Sequence, residues 1–402
     1  MGILLQINET SNWGSTGRIA EGIGNKMQNE GWTSYLAYGR QANPSRLQTI
    51  SIGSQWDVYL HGIQTRLFDE HGFGSKKATA TFLRHVEKIQ PDIIHLHNIH
   101  GYYLHIGLLF ERLKSWNIPV VWTLHDCWSF TGHCAYYAAA GCRKWETRCN
   151  DCPQTKVYPA SWGWDRSGKN FDTKKALFTS LKHMTIVPVS RWLAREVKKS
   201  FLGVYPCLTI GNGIDLSVFR PVPSDETRQN LGIDNRFMIL GVANIWEERK
   251  RLQDFIELSR HLDHESVIVL VGLTSEQRKN LPEKIIGLGR TDSLEHLVSL
   301  YSAADVVLNL SVEETFGMTT IEGFGCGTPG IVYNRTASPE LIGEGTGFIT
   351  EPGDIEDLLH KLSTIRNKGK AAYRETCRRH ASMHFQQAVQ YNSYCQLYQS
   401  LL

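Results

Sequence analysis

The sequence predicts an α/β protein built as two doubly wound parallel-sheet domains, and three observations predict it. Short continuous apolar runs alternate with helical patterns in both halves, as strands covered on both faces require. The pattern pauses over Tyr205 to Pro223, which holds three prolines and two glycines, and then restarts. The length, 402 residues, suffices for two buried cores.

In the first half, Ile3 to Ile7 reads as a strand and Asn8 to Gly17 as a loop of small and polar residues. Arg18 to Asn29 reads as a helix, because Ile19, Ile23 and Met27 recur every four residues on one face. Thr33 to Tyr38, Asp92 to His97 and Val120 to Leu124 read as further strands. The last two run into polar residues, as expected where strand C-termini border a ligand crevice. In the second half, Phe237 to Val242, Val267 to Val271, Ile285 to Leu288 and Val306 to Leu310 read as strands. Leu252 to Leu262 and Leu294 to Ala303 read as helices, and Ala371 to Leu402 as mostly helical. The predicted division is an N-terminal domain over 1–205 with a cysteine-rich insertion at 128–159, a C-terminal domain over 206–384, and a helix over 385–402 returning to the first domain. A deep cleft between two such sheets is a preferred ligand site.

Composition narrows the function classes. The chain is 41% hydrophobic and 21% charged with a net charge of +3, too weak a bias to argue for nucleic acid. The pairs Lys76-Lys77, Arg143-Lys144, Lys174-Lys175 and Lys198-Lys199 read first as solvated surface charge and second as a patch for anionic lipid. No apolar stretch has the length of a membrane span, and the N-terminal run is too short for a signal-peptide core. The expectation is a cytoplasmic chain, at most peripheral on the inner face of a membrane.

The chemistry concentrates after the strand Val306 to Leu310. There Glu313-Glu314-Thr315-Phe316-Gly317-Met318 leads into a helical pattern. A helix starting near Gly317 offers free N–H groups and a partial positive charge to an anion such as a diphosphate. Glu314 and, eight residues on, Glu322 can accept hydrogen bonds from hydroxyls at two places on one elongated ligand. Two glutamates alone would read as solvated helix residues. Their neighbours change that: Asn212-Gly213-Ile214-Asp215, Tyr301-Ser302-Ala303-Ala304-Asp305, Gly327-Thr328-Pro329 and Pro339-Glu340-Leu341-Ile342 stand around them in order.

In that order the chain resembles the retaining glycosyltransferase family 4, of the two-domain GT-B fold with Rossmann-like halves. The resemblance implies that Glu314 contacts donor-sugar hydroxyls, that Glu322 holds the nucleotide ribose, and that Phe316, Gly317 and Met318 cradle the diphosphate. Lys250 matches the family lysine. The family arginine is replaced by Ala243-Asn244 and the expected glycine by Arg251, so Arg249 is the favoured substitute. Thr123-Leu124-His125-Asp126 implies that His125 faces the donor sugar, with Asp126 able to fix its tautomer. Gly14 and Gly17 stand where the family's first glycine-rich loop approaches the donor. His95, His97 and His100 read as cleft lining or packing before metal ligands.

Cys134, Cys142, Cys149 and Cys152 follow as Cys-x7-Cys-x6-Cys-x2-Cys. A structural zinc site, free or redox-active thiols, and disulfides all remain open readings, the last disfavoured in a reducing cytosol. This insertion is similar to one in glycosyltransferases of bacterial colanic-acid and O-antigen clusters. The implied partners are a nucleotide sugar and a lipid-linked oligosaccharide at the inner membrane surface. No Asp-x-Asp occurs, so no cation is expected at the diphosphate. A GT-B sugar-nucleotide epimerase, a sugar phosphorylase and a non-catalytic nucleotide-sugar-binding subunit are the rival readings.

Overall fold

The apolar runs become the inner strands of two six-stranded parallel sheets. The computed structural model describes residues 2–402. The chain divides into an N-terminal unit, Met1–Ile210 with Tyr391–Leu402, and a C-terminal unit, Gly211–Gln390.

The N-terminal unit runs β1 (Ile3–Asn8), α1 (Gly14–Asn29), β2 (Thr33–Tyr38), β3 (Gln48–Ser51), α2 (Gln55–Phe68), α3 (Lys76–Ile89), β4 (Ile93–Leu96), α4 (Ile106–Trp116), β5 (Val120–Leu124), α5 (Ser167–Phe178), β6 (Met184–Pro188) and α6 (Arg191–Lys199). Its strand order is β3-β2-β1-β4-β5-β6. On one face Ile19, Ile23 and Met27 of α1 bury themselves with Leu4, Ile93 and Val121, as their four-residue spacing requires. Helix α1 starts at Gly14, four residues before the expected start, so Gly14 and Gly17 form its first turn rather than a free loop. β3 was not legible as a strand: it is an edge strand whose residues are mostly exposed, so it needs no apolar run.

The C-terminal unit runs α7 (Asp225–Asn230), β7 (Phe237–Val242), α8 (Leu252–His261), β8 (Ser266–Val271), α9 (Ser275–Lys279), β9 (Ile285–Leu288), α10 (Leu294–Ala303), β10 (Val306–Asn309), α11 (Met318–Gly325), β11 (Gly330–Tyr333), β12 (Gly347–Thr350), α12 (Ile355–Lys368) and α13 (Ala371–His384). Its order, β12-β11-β10-β7-β8-β9, repeats the topology of the first sheet. In each sheet the winding reverses between the first and fourth strands: β1 and β4, then β7 and β10. Ligands of doubly wound sheets bind beyond the strand ends at this reversal.

The chain closes with α14 (Gln387–Leu401). The stretch expected to be mostly helical divides into α13 and α14, and Ile214 pairs with the backbone between them. Its N–H donates to the Phe385 carbonyl at 2.7 Å, and its carbonyl accepts from the Gln387 N–H at 3.0 Å. Tyr394 and Tyr398 of α14 lie fully buried in the apolar cluster of the N-terminal unit.

Candidate active site

In the C-terminal unit the loops leaving β7 and β10 are stapled together at the reversal. The Val312 N–H donates to the Arg249 carbonyl at 2.9 Å, and the Arg249 guanidinium donates to the Glu313 carbonyl at 3.1 Å. Lys250 Nζ forms an ion pair with Glu314 Oε1, the two side chains being 16% and 13% exposed. The Glu314 backbone is fixed in turn: its N–H donates to Thr336 Oγ1 at 2.8 Å, and its carbonyl accepts from the Ala337 N–H at 3.2 Å. Burial alone would push the Glu314 carboxyl up. The neighbouring Lys250 and Arg249 charges outweigh it and hold the group below the usual carboxylate range. Burial pulls Lys250 down, and Glu314 offsets part of that shift.

Gly317 precedes α11 with φ +108°, a conformation that side-chain-bearing residues rarely adopt. A Cβ there would fall 2.9 Å from Leu341 Cδ1 and 3.3 Å from Asn309 Nδ2. The backbone thus packs tightly behind the helix N-terminus, whose first N–H groups need partners. Phe316 is buried edge-to-face against Phe385 at 6.1 Å, and Met318 is half-buried. Glu322, on the next turns of α11, accepts from the buried Tyr301 hydroxyl at 2.7 Å. Arg251, the other candidate for the missing arginine, forks onto Asp254 of its own helix at 2.8 and 3.1 Å. Arg249 is therefore the arginine that faces the Glu314 segment.

The N-terminal unit builds its reversal differently. Gln6 Nε2 donates to the Ala20 carbonyl at 2.8 Å, which turns Oε1 toward His97 Nε2 at 3.1 Å. His97 Nε2 must then carry the proton, leaving Nδ1 to accept from His125 Nε2 at 3.2 Å. The two rings stack with 16° between planes. Burial lowers His125 to about 4, so the imidazole is neutral at physiological pH. Its tautomer is set by Gln6 through His97. The expectation that Asp126 performs this task is corrected: that carboxylate accepts from His100 Nε2 at 2.8 Å and from the Trp128 N–H at 2.9 Å. His95 bonds Thr123 Oγ1 at 2.8 Å and the Tyr398 hydroxyl at 2.6 Å, a packing role. Gly14 and Gly17 line the start of α1, where Thr10 Oγ1 sits 2.7 Å from the position of a Gly17 Cβ.

In the cysteine-rich insertion the thiols of Cys134, Cys142, Cys149 and Cys152 lie close enough to perturb one another. Among the described residues no group of three or more His, Cys, Asp or Glu is placed to hold a metal ion. None of the nine cysteines is in a disulfide. Cys134 donates to Cys152, which pulls the Cys152 thiol down to about 7, while Cys149 accepts from the Gly132 N–H at 3.2 Å. An aromatic core packs within the segment: the Trp145 ring centre lies 5.0 Å from that of Phe130 and 4.8 Å from that of Tyr137. Lys174, read from the sequence as surface charge, is buried. It donates to the carbonyls of Trp128 at 2.8 Å and Thr131 at 3.1 Å, and lies 3.4 Å over the Trp128 ring.

Solved structures share the twin doubly wound architecture. Sucrose-phosphate synthase from Thermosynechococcus elongatus is similar with a TM-score of 0.74 over 100% of this chain and 99% of its own, at 17% identity. Anabaena HepE in complex with UDP and glucose gives a TM-score of 0.69 over 100% of both chains, at 16% identity. These likenesses define the class, the GT-B fold of glycosyltransferases. The model described as Glycosyltransferase Family 4 matches residues 17–218, half of the chain, and the one described as Glycosyl transferases group 1 matches residues 223–382. The chain belongs to glycosyltransferase family 4. Among curated proteins, WcaC of Escherichia coli K12, named for glycosyl transfer in colanic acid biosynthesis, is 23% identical over 89% of each chain. A D-inositol 3-phosphate glycosyltransferase of Mycobacterium sp. strain JLS is 26% identical over 42% of each.

Proposed function

We propose that this glycosyltransferase moves a hexosyl group, with retention of anomeric configuration, from a UDP- or GDP-linked sugar to a lipid-linked oligosaccharide in bacterial surface-polysaccharide assembly. The observation that carries the reading is the Lys250–Glu314 pair beside the N-terminus of α11. An incoming diphosphate would take over Lys250, with Arg249 and the α11 N–H groups. Glu314 would then be free to accept from a hydroxyl of the donor sugar. Glu322 would hold the ribose, and Phe316, Gly317 and Met318 the diphosphate backbone. His125, neutral and fixed in tautomer, would face the donor sugar. The C1–O bond to the diphosphate breaks as the acceptor oxygen bonds C1 on the same face, and the acceptor proton passes to the departing diphosphate. Stabilising that leaving group is then the main catalytic term. WcaC's place in colanic acid biosynthesis supports the pathway, and HepE's complex with UDP and glucose supports a nucleotide-sugar donor.

The test is direct. Purified protein is screened for thermal stabilisation by UDP, GDP and their sugars, since a ligand of the native state raises its melting point. The best donor is then supplied with a polyprenyl-diphosphate-linked oligosaccharide, and the product's anomeric configuration is read by NMR. An inverted linkage defeats the retaining assignment. Donor binding without turnover on any acceptor favours the binding-subunit reading.

A further inference from the structure

Beyond β1, β2 and β4 the N-terminal unit gathers two tyrosines and two arginines that no step of the proposed transfer uses. The chain leaving β4 reverses through Gly101, with φ +111°, and Tyr102, with φ +71°. A bulky residue seldom adopts the second of these, and such strain collects at ligand sites. The Tyr102 ring lies against His71, with ring centres 4.8 Å apart, and 6.1 Å from that of Tyr158 in the cysteine-rich insertion. The Tyr158 hydroxyl donates to His100 Nδ1 at 3.3 Å, because His100 Nε2 already donates to Asp126. Both tyrosines remain half-buried.

The charges around them do not balance. Glu9, just past β1, is ion-paired with Arg40, and it packs on the reversal: a Cβ on Gly101 would fall 2.7 Å from Glu9 Cδ. Glu70 pairs with Arg166, and Asp126 is held by His100 and the Trp128 N–H. Arg66 is the cation left over. His61 Nε2 accepts from the N–H groups of Gly72 and Gly74, both at 3.1 Å, which anchors α2 and fixes where Arg66 stands. Among the described residues Arg66 forms no ion pair. Its half-buried guanidinium lies 6.0 Å from the Tyr102 ring centre and 5.6 Å from that of Trp162. Ring faces attract a cation less than an oxyanion does, so its fork stays open to one. Behind Tyr102, His71 Nε2 accepts from the Gly101 N–H at 3.2 Å. Burial keeps that ring neutral, so its proton sits on Nδ1, which is buried without a partner. The surplus is one of hydrogen-bond donors and positive charge.

We propose that Arg66, Arg40 and Tyr102, walled by Tyr158, form a subsite for a phosphate ester on the acceptor, with Glu9 placed to accept from a hydroxyl of the sugar that carries it. The charges of Arg66, Arg40 and Glu9 all act on the Tyr102 hydroxyl, so the three side chains converge there. Guanidinium forks match phosphate oxygens in pairs, and the Tyr102 hydroxyl can donate to a further one. The tyrosine rings offer flat apolar faces to the sugar. Hydrogen-bond donors arrive from three separate segments: the loop after β2, helix α2 and the reversal after β4. A carboxylate presents two oxygens to them and a phosphate three, so the phosphate is the better match. The subsite rests on the transferase reading for its purpose, which is to tell an acceptor still joined to its carrier phosphate from one released.

The experiment gives the full chain one oligosaccharide in two forms, polyprenyl-diphosphate-linked and as its methyl glycoside. Wild type is expected to use the first with a kcat/KM about 10- to 100-fold higher. Arg66→Met keeps the stem against the rings and removes the charge. It should erase that preference while leaving the methyl glycoside's kcat/KM, the nucleotide-sugar KM and the melting temperature unchanged, and Arg66→Lys should restore part of it. An equal loss on both acceptors, or no loss on either, overturns the proposal. Binding is read separately by calorimetry with inorganic pyrophosphate, in the presence of saturating UDP or GDP. Arg66→Met is expected to bind it about tenfold more weakly than wild type. Equal affinity, no binding at all, or binding that Lys250→Ala abolishes and Arg66→Met does not, overturns the subsite. Pyrophosphate binding that depends on Arg66, with neither acceptor turned over, defeats only the transferase reading. Turnover of both acceptors with no preference defeats only the subsite.

Discussion

The two units reverse their winding at the same place in the strand order, and they furnish that place with opposite electrostatics. Beyond β7 and β10 stand Arg249, Lys250 and Glu314, two cations to one carboxylate. Beyond β1 and β4 stands a chain of amide and imidazoles, Gln6, His97 and His125, that carries no net charge. The reversal supplies the location, and the residues grafted there decide the chemistry. The charged site suits a diphosphate. The neutral one suits a hydroxylated sugar, which needs hydrogen bonds of known direction and no counter-ion.

Acid should separate the units most. His61 is lowered to about 3 by burial, and His71, His95 and His97 lie well below the ordinary value for the same reason. The unfolded chain therefore takes up protons near pH 6.5 that the native N-terminal unit refuses. Stability is full above about pH 6.5 and falls as pH drops below it, by roughly 1.4 kcal/mol per histidine per pH unit at most. Melting curves recorded from pH 8 to 5 should lose several kcal/mol, mostly in the N-terminal unit, since in the C-terminal unit it is His380 that burial lowers. Equal losses in both units would break the comparison.

Lys250→Ala removes one of the two cations of the charged site and should lower kcat by about 10²- to 10³-fold. Adding Glu314→Gln should cost far less than a second such factor, because the two groups act as a pair. Nucleotide release in steady state measures both. On the proposed role of Glu322 at the ribose, Glu322→Ala should raise the donor KM about tenfold and leave kcat within a few-fold, since such a contact would be made equally in ground and transition states. The smallest effect expected is that of Gln6→Leu, which frees the His97–His125 tautomer and should lower kcat several-fold at unchanged donor KM. A larger loss there than in Lys250→Ala would invert the ranking of the two sites.

Much of this was legible in the sequence, for physical reasons. Inner strands such as Phe237–Val242 and Val306–Asn309 must be apolar on both faces, so they stand out as runs. Glu314 and Gly317 stand out through the ordered motifs around them, since the glutamates alone read as solvated helix residues. Other features were hidden. β3 lies at an edge and carries no pattern. The partner of Asp126 depends on where His100 is brought by a different strand. Helix α2 has ordinary amphipathic spacing, and only the tertiary hydrogen bonds of His61 reveal that its apolar side faces out. Lys174 belongs to a pair that reads as surface charge, and only packing of α5 beneath Trp128 shows it buried.

The last turns of α14 carry a consequence for synthesis. Tyr394 and Tyr398 fill the cluster around Leu4 and Val121, and their hydroxyls meet Thr123 at 2.9 Å and His95 at 2.6 Å. Strand β1 thus waits for residues made long after it before its core is complete. Domains usually fold in the order they are made. Here the earlier unit is finished last, so a chain stalled or clipped before Tyr391 should emerge with an intact C-terminal unit and an open N-terminal core, the form a cell's quality control would meet first.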